Sequence, residues 1–169
     1  TYNVEELQLY GERVARLLSG ESIAWVVELK VDGVAVAITY ENGGLAFGAT
    51  RGDGLVGDDI THNLRTVIGL PLRLTGTNVP PVLEVRGEIY MTNTDLADIN
   101  ARRQAAGKAL YANTRNTAAG GIKLLDPKQC AERRLRFFCH GAGYIEGLPT
   151  DSHFEFLKLA RGWGVPTIP

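Results

Sequence analysis

The chain of 169 residues is poor in cysteine, methionine and histidine, with two, one and three of each, so the chemistries that lean on those side chains are narrowed at once. Cys130 and Cys139 stand nine positions apart with no second pair and no histidine at ligand spacing. That argues against a disulfide framework and a zinc site and leaves two buried thiols. His62, His140 and His153 share no spacing that suits a metal or an acid–base pair, and all three read as structural or surface residues. Apolar stretches such as 23–27 and 34–38 are far too short for a bilayer, which takes about 20 apolar residues. The opening residues lack the charged-then-apolar order of an export signal. A cytoplasmic protein with no membrane partner is expected. Internal repeats and low-complexity tracts are also missing.

What is present suits one globular domain. Hydrophobic residues make up 44% and charged residues 22%, and the length is enough to bury a continuous core without a metal or a disulfide. Net charge is −1, but it is unevenly spread. Between positions 101 and 136 nine basic residues face Asp126 and Glu132 alone, so that segment carries +7 and the remainder −8. Such a split is expected where one face meets a phosphate backbone, although solvated helix faces would produce the same count.

Asn3 followed by Glu6 has the form of a capping box, and Val4, Leu7, Val14, Leu17 and Leu18 recur at helical spacing up to Ser19-Gly20. An amphipathic helix therefore opens the chain. Alternating β-branched runs predict strands near 24–31, 34–41 and 45–51, with Glu41-Asn42-Gly43-Gly44 as a hairpin turn. A short helix is expected around 57–66, with Asp58 and Asp59 at its positive end. A strand over 82–91 precedes a helix capped by Thr92 or Asn93 and stopped near Gly107. Further helical pieces are expected at 115–124 and after Asp126-Pro127, then a strand over 135–144 and a last helix over 152–163. Hairpins and helices mix without a βαβ rhythm, so the expected class is α+β, with antiparallel sheets flanked by helices.

The sharpest chemical feature is Val27-Glu28-Leu29-Lys30-Val31-Asp32-Gly33. On a strand Glu28, Lys30 and Asp32 would share one face, while Val27, Leu29 and Val31 would enter a core. A lysine amine attacks only when neutral, and an unperturbed lysine titrates near 10.4. Flanking carboxylates favour the ammonium form further. A nucleophilic Lys30 would need cations close by, such as Mg²⁺ or basic side chains, and those cations would also neutralise a phosphoryl group under attack. The pattern points to a nucleotide–metal site, or else to an ordinary salt-bridged sheet face.

Lys30-Val31-Asp32-Gly33 fits the K-x-D-G motif of polynucleotide ligases and messenger-RNA capping enzymes. Longer strings sharpen the likeness: Ala49-Thr50-Arg51-Gly52-Asp53-Gly54, Gly57-Asp58-Asp59-Ile60-Thr61, Leu83-Glu84-Val85-Arg86-Gly87-Glu88, then Ala112-Asn113-Thr114-Arg115-Asn116-Thr117-Ala118-Ala119-Gly120 and Leu125-Asp126-Pro127. In this order they resemble the adenylation domain of bacterial NAD⁺-dependent DNA ligases, from about position 3 to position 166. An ATP-dependent ligase or capping enzyme is disfavoured because the strings at 51–61 and 113–120 match the NAD⁺ branch.

The resemblance implies an ATP-grasp-like nucleotidyltransferase fold in which Lys30 attacks the α-phosphorus of NAD⁺ and becomes lysyl-AMP. AMP would then pass to the 5′-phosphate of nicked double-stranded DNA. It also implies Glu28 at the adenine end of the nucleotide, Arg51 on the nucleotide after the hairpin, Glu88 near the ribose, and Asp32 supporting the adenylylation steps with Mg²⁺. Arg115 and Lys123 fall where the family presents basic side chains to the nicked duplex. Lys123 stands where arginine is usual, Thr114 where proline is, and Gly121 where serine is. Lysine keeps the charge but loses the bidentate fork. Arg86 reads as an internal ion-pair partner.

The chain opens at Thr1 and reads as a central excerpt of that domain. The upstream subdomain that grips nicotinamide mononucleotide has no counterpart in the 169 residues. Nor do two downstream lysine motifs, the oligonucleotide-binding barrel, the zinc module with its Zn²⁺, the helix-hairpin-helix repeats or the terminal BRCT domain. The expectation is a monomer that adenylylates itself poorly, with a catalytically silent nucleotide-binding module as the alternative.

Overall fold

The computed structural model describes residues 3–19, 21–147 and 150–168. Helix α1 (Val4–Leu17) starts where the capping box places it. Asn3 Oδ1 accepts from the Glu6 amide at 2.8 Å, and Asn3 Nδ2 donates to Glu6 Oε1 at 3.2 Å. The proposed stop at Gly20 lies outside the described residues. No residue of α1 is buried, and Val4, Leu7 and Leu9 stay exposed, so its apolar stripe has no core to enter here.

Strands β1 (Val34–Glu41) and β2 (Gly44–Thr50) form the expected hairpin. Asn42 and Gly43 both take positive φ, 47° and 75°, as a two-residue turn matched to strand twist requires. Strands β3 (Val82–Tyr90) and β4 (Arg136–Ile145) complete one antiparallel sheet in the order β2-β1-β3-β4. The architecture is α+β, as expected.

Burial alternates with period two across the sheet. Val36, Ile38 and Tyr40 of β1, Leu83, Val85 and Ile89 of β3, and Phe137 and Cys139 of β4 enter the core. Helices α2 (Thr61–Leu64), α3 (Asn93–Ala105), α4 (Thr114–Ile122), α5 (Pro127–Ala131) and α6 (His153–Gly162) supply the rest, including Leu64, Ile99, Ile122, Cys130, Phe156 and Ala160. The opposite sheet face carries Glu84, Arg86 and Glu88 beside the small side chains of Ala35 and Ala37. That polar, shallow face is where a ligand can lie.

Side chains tie the helices to their caps. Thr92, Asn113, Asp126 and Ser152 cap α3, α4, α5 and α6 through their oxygens. Asn63 Nδ2 donates to the Ile122 and Leu124 carbonyls at 2.7 and 2.6 Å, closing the end of α4 against α2. Asp95, only 3% exposed, lies between Arg134 and Arg136 and accepts from the Thr92 hydroxyl.

Two expectations are corrected. Residues 24–31 pair with none of the described strands, and no strand forms there. Val27 and Leu29 are 93% and 71% exposed rather than in a core. Alternating β-branched residues make a strand only when a neighbour accepts their backbone hydrogen bonds, and none of the described strands does so. The helix expected over 57–66 is limited to Thr61–Leu64. Asp58 is drawn instead to Thr50, whose Oγ1 accepts from the Asp58 amide at 2.9 Å, while Asp59 Oδ1 accepts from the Thr61 amide at 2.9 Å.

Candidate active site

Gly33 brings the Lys30 segment onto the sheet. A Cβ at that position would lie 2.2 Å from the Ile89 carbonyl oxygen, so only glycine lets the chain pass this close to β3. The segment just before it then borders a cavity of about 290 Å³ lined by Glu28, Leu29, Lys30, Val31, Glu88, Phe138, His140 and Ile168. Lys30 is exposed, yet it looks onto the same space as both carboxylates.

A second cavity of about 480 Å³ continues across the sheet face. Arg51, Glu84, Arg86, Glu88 and His140 line it over a floor that includes Ala35 and Ala37. Glu88 and His140 belong to both spaces and so mark where they join. Arg51 reaches this point because its amide donates to the Ala35 carbonyl at 2.8 Å. The loop that follows is held by Asp53 Oδ1, which accepts from the Leu55 and Val56 amides at 2.9 and 2.8 Å. Those bonds keep the Asp53 carboxyl below its ordinary range.

Glu88 is the electrostatic centre. Desolvation raises its pKa, and the charges of Lys30, His140, Arg115 and Arg51 pull against that rise. Its Oε2 is buried with no hydrogen-bond partner. An unpartnered buried acceptor is costly unless a ligand supplies a donor. Ribose hydroxyls and an exocyclic amine are donors of that kind.

Four of the expected residues, Glu28, Lys30, Arg51 and Glu88, therefore line one continuous face. Asp32 does not join them. It turns to Arg115, whose Nη1 lies 3.2 Å from Asp32 Oδ1. Lys123 Nζ lies 2.6 Å from Asp58 Oδ2 and holds that carboxyl below its usual range. Both cations assigned to the duplex are thus ion-paired. Arg86 meets Glu84 at 2.8 Å, the internal pair expected of it.

Two histidines read as structural have places in the site. His140 lines both cavities, and His153 Nε2 lies 3.3 Å from Glu28 Oε2. The signal for His140 was its register. Phe137 and Cys139 are core residues, so alternation sends His140 to the face that carries Glu88. His153 is brought to Glu28 by α6, across 125 residues, and no sequence spacing reports that. Both cysteines are buried free thiols, and burial pushes Cys139 up to about 12.

Among the described residues no three ligating side chains gather into a metal cluster. Those residues form no cage of protein ligands for Mg²⁺. Among the same residues no helix is long and apolar enough to cross a membrane.

The two adjoining cavities thus gather an exposed lysine, an arginine and two acids, one of which, Glu88, has an unpartnered buried oxygen. The profile described as the NAD-dependent DNA ligase adenylation domain matches residues 1–169, and the chain belongs to that family. It is 51% identical to a DNA ligase of Rhodopirellula baltica, an alignment spanning all of this chain and 25% of that protein. A DNA ligase of Methylacidiphilum infernorum is 47% identical over 98% of this chain and 24% of its own length. One from Methylorubrum extorquens is 46% identical over 99% and 20%. The chain spans a quarter or less of these curated relatives.

Proposed function

We propose that this chain is the central part of an ATP-grasp-like adenylation domain of an NAD⁺-dependent DNA ligase, and that Lys30 is its nucleophile. The Lys30 amine attacks the α-phosphorus of NAD⁺, an N–P bond forms, and nicotinamide mononucleotide leaves with the electrons of the broken P–O bond. A 5′-phosphate oxygen of nicked DNA then takes the AMP and frees Lys30. The 3′-hydroxyl finally attacks that 5′-phosphorus and expels AMP, sealing the strand as replication and repair require.

The observation that carries this reading is the unpartnered Oε2 of Glu88, set among the charges of Lys30, Arg51, Arg115 and His140. Glu88 would accept from the ribose and Glu28 from the adenine end, while Arg51 would pair with phosphate or stack on the base. Arg115 and Lys123 would exchange their acids for phosphates of the nicked duplex. Asp32 supports the adenylylation steps once Arg115 lets go, and Mg²⁺ would arrive with the nucleotide phosphates rather than in a protein cage. The protein is taken as a cytoplasmic, nucleoid-associated monomer. Its upstream nicotinamide-mononucleotide subdomain and downstream modules would supply the rest of the ligase.

A second reading, a catalytically silent nucleotide-binding module, is favoured by the unpaired segment that carries Lys30. A nucleophile on a segment with no strand hydrogen bonds is less firmly oriented, and misplacement by about 1 Å can cost a hundredfold. Intact-mass measurement after incubation with NAD⁺ and Mg²⁺, with ATP as comparison, separates the two. An AMP adduct from NAD⁺ only, absent in Lys30→Ala, supports the ligase reading. No adduct on this chain while the full-length parent forms one marks truncation as the cause, and no adduct on either favours the silent module.

A further inference from the structure

Nine basic side chains lie between positions 101 and 136, and four of them are neutralised by a neighbouring acid. Arg115 pairs with Asp32, Lys123 with Asp58, and Arg134 and Arg136 with Asp95. Of the five left without a carboxylate partner among the described residues, four line one groove: Arg102, Arg103, Lys108 and Arg133. The groove measures about 520 Å³, and its sole acid is Glu132. It lies between the end of α3 and α5, apart from the cavities around Lys30.

Two of these cations are held in place. The Arg103 guanidinium lies 4.2 Å from the centre of the Tyr111 ring and that of Arg133 lies 4.6 Å from it. Arg103 also donates to the Ala109 carbonyl and, at 3.2 Å, to the Tyr111 hydroxyl. The Arg133 stem crosses Gly121 of α4, where a Cβ would come within 2.9 Å of its Cγ. Like charges held this close repel, and a bound anion relieves the repulsion. The helix dipole explains Arg102 and Arg103 in the last turn of α3, but not Lys108 and Arg133, which come from other segments.

We propose that this groove binds backbone phosphates of duplex DNA, as a contact separate from Arg115 and Lys123. The proposal rests on reading the chain as part of a DNA ligase. It borders α4, which carries Arg115 in its first turn and ends at Lys123, so one duplex can run along both sides of that helix. The Tyr111 ring is already taken by two guanidiniums, which leaves no aromatic face for a base. The contact is therefore to phosphate and carries no sequence preference.

The test is fluorescence anisotropy of this 169-residue chain on a nicked duplex and an intact duplex of equal length, across a salt series. The variants are Arg102→Gln with Lys108→Gln, both exposed, and Arg133→Gln separately, with thermal melting to confirm folding. Each lost phosphate contact should lower the slope of log affinity against log salt by about 0.9. The double variant is expected to lower it by about 1 to 2, equally on both duplexes, while lysyl-AMP formation is unchanged. An unaltered slope, or no duplex binding by the unsubstituted chain at low salt, overturns the proposal. So does loss of inorganic tripolyphosphate binding with an unaltered duplex slope, which marks a small-anion site. A lowered slope on a chain that forms no adduct keeps the groove, and the adenylylation reading falls only if the full-length parent forms none either.

Discussion

Arg115 and Asp32 touch at 3.2 Å across 83 residues of sequence, joining the first turn of α4 to the acid two positions after Lys30. Their side chains are 61% and 65% exposed, so water and ions compete for both partners. An exposed pair of this kind is worth under about 1 kcal/mol, which makes it easy to exchange. A phosphate arriving at Arg115 would leave Asp32 free.

Arg115→Ala should therefore leave the fold nearly intact. The expected loss is below about 1 kcal/mol, or a fall in Tm of less than about 4 °C for a domain of this size. Duplex affinity should drop nonetheless. Thermal denaturation alongside anisotropy checks both, and a fall in Tm near 10 °C would show that the pair is structural.

Glu88→Gln should separate stability from function. Burial raises the Glu88 pKa in the folded state, so this group adds stability below its unfolded value, about 4.3, and loses it as pH rises through the folded value. At neutral pH the charge is a cost that glutamine removes. The variant is expected to be at least as stable as the parent, while adduct formation falls roughly 10- to 100-fold, the worth of a charged hydrogen bond. Denaturant titration at two pH values and the mass assay together decide it.

Asp95→Asn should act in the opposite sense. Burial alone would raise this carboxyl, but the Thr92 hydroxyl and the Arg136 and Arg134 guanidiniums overcome that and hold it low. Its stabilising effect is present above the unfolded value, about 3.9, and is lost as pH falls through the folded one. We expect a loss of roughly 1–3 kcal/mol at pH 7 and a flatter acid limb, measured by urea unfolding between pH 3 and about 7.

Gly33→Ala should displace the Lys30 segment. The new methyl would meet the Ile89 carbonyl oxygen at 2.2 Å and the Tyr90 Cβ at 3.2 Å, and neither is a flexible side-chain end. Overpacking costs about 1–3 kcal/mol. If the segment moves off β3 instead, stability is retained and adduct formation disappears. Hydrogen exchange at residues 31–34 distinguishes the two responses.

The amino-acid order alone determined the elements whose signals are local: the Asn42-Gly43 hairpin, the helix starts at Thr92 and Asp126, and the period-two burial of β1, β3 and β4. Its family strings also singled out Lys30, Glu28, Arg51 and Glu88, which line two adjoining cavities. The local elements depend on dihedral preference and side-chain period, which a residue and its near neighbours settle. Tertiary structure alone decided that 24–31 has no strand partner among the described residues, that Asp32 faces Arg115, that His153 meets Glu28, and that four cations with no carboxylate partner among those residues share a groove. Each depends on what chain folding brings from far along the sequence, because a strand needs a neighbour and a charge needs a partner before either has a fixed role.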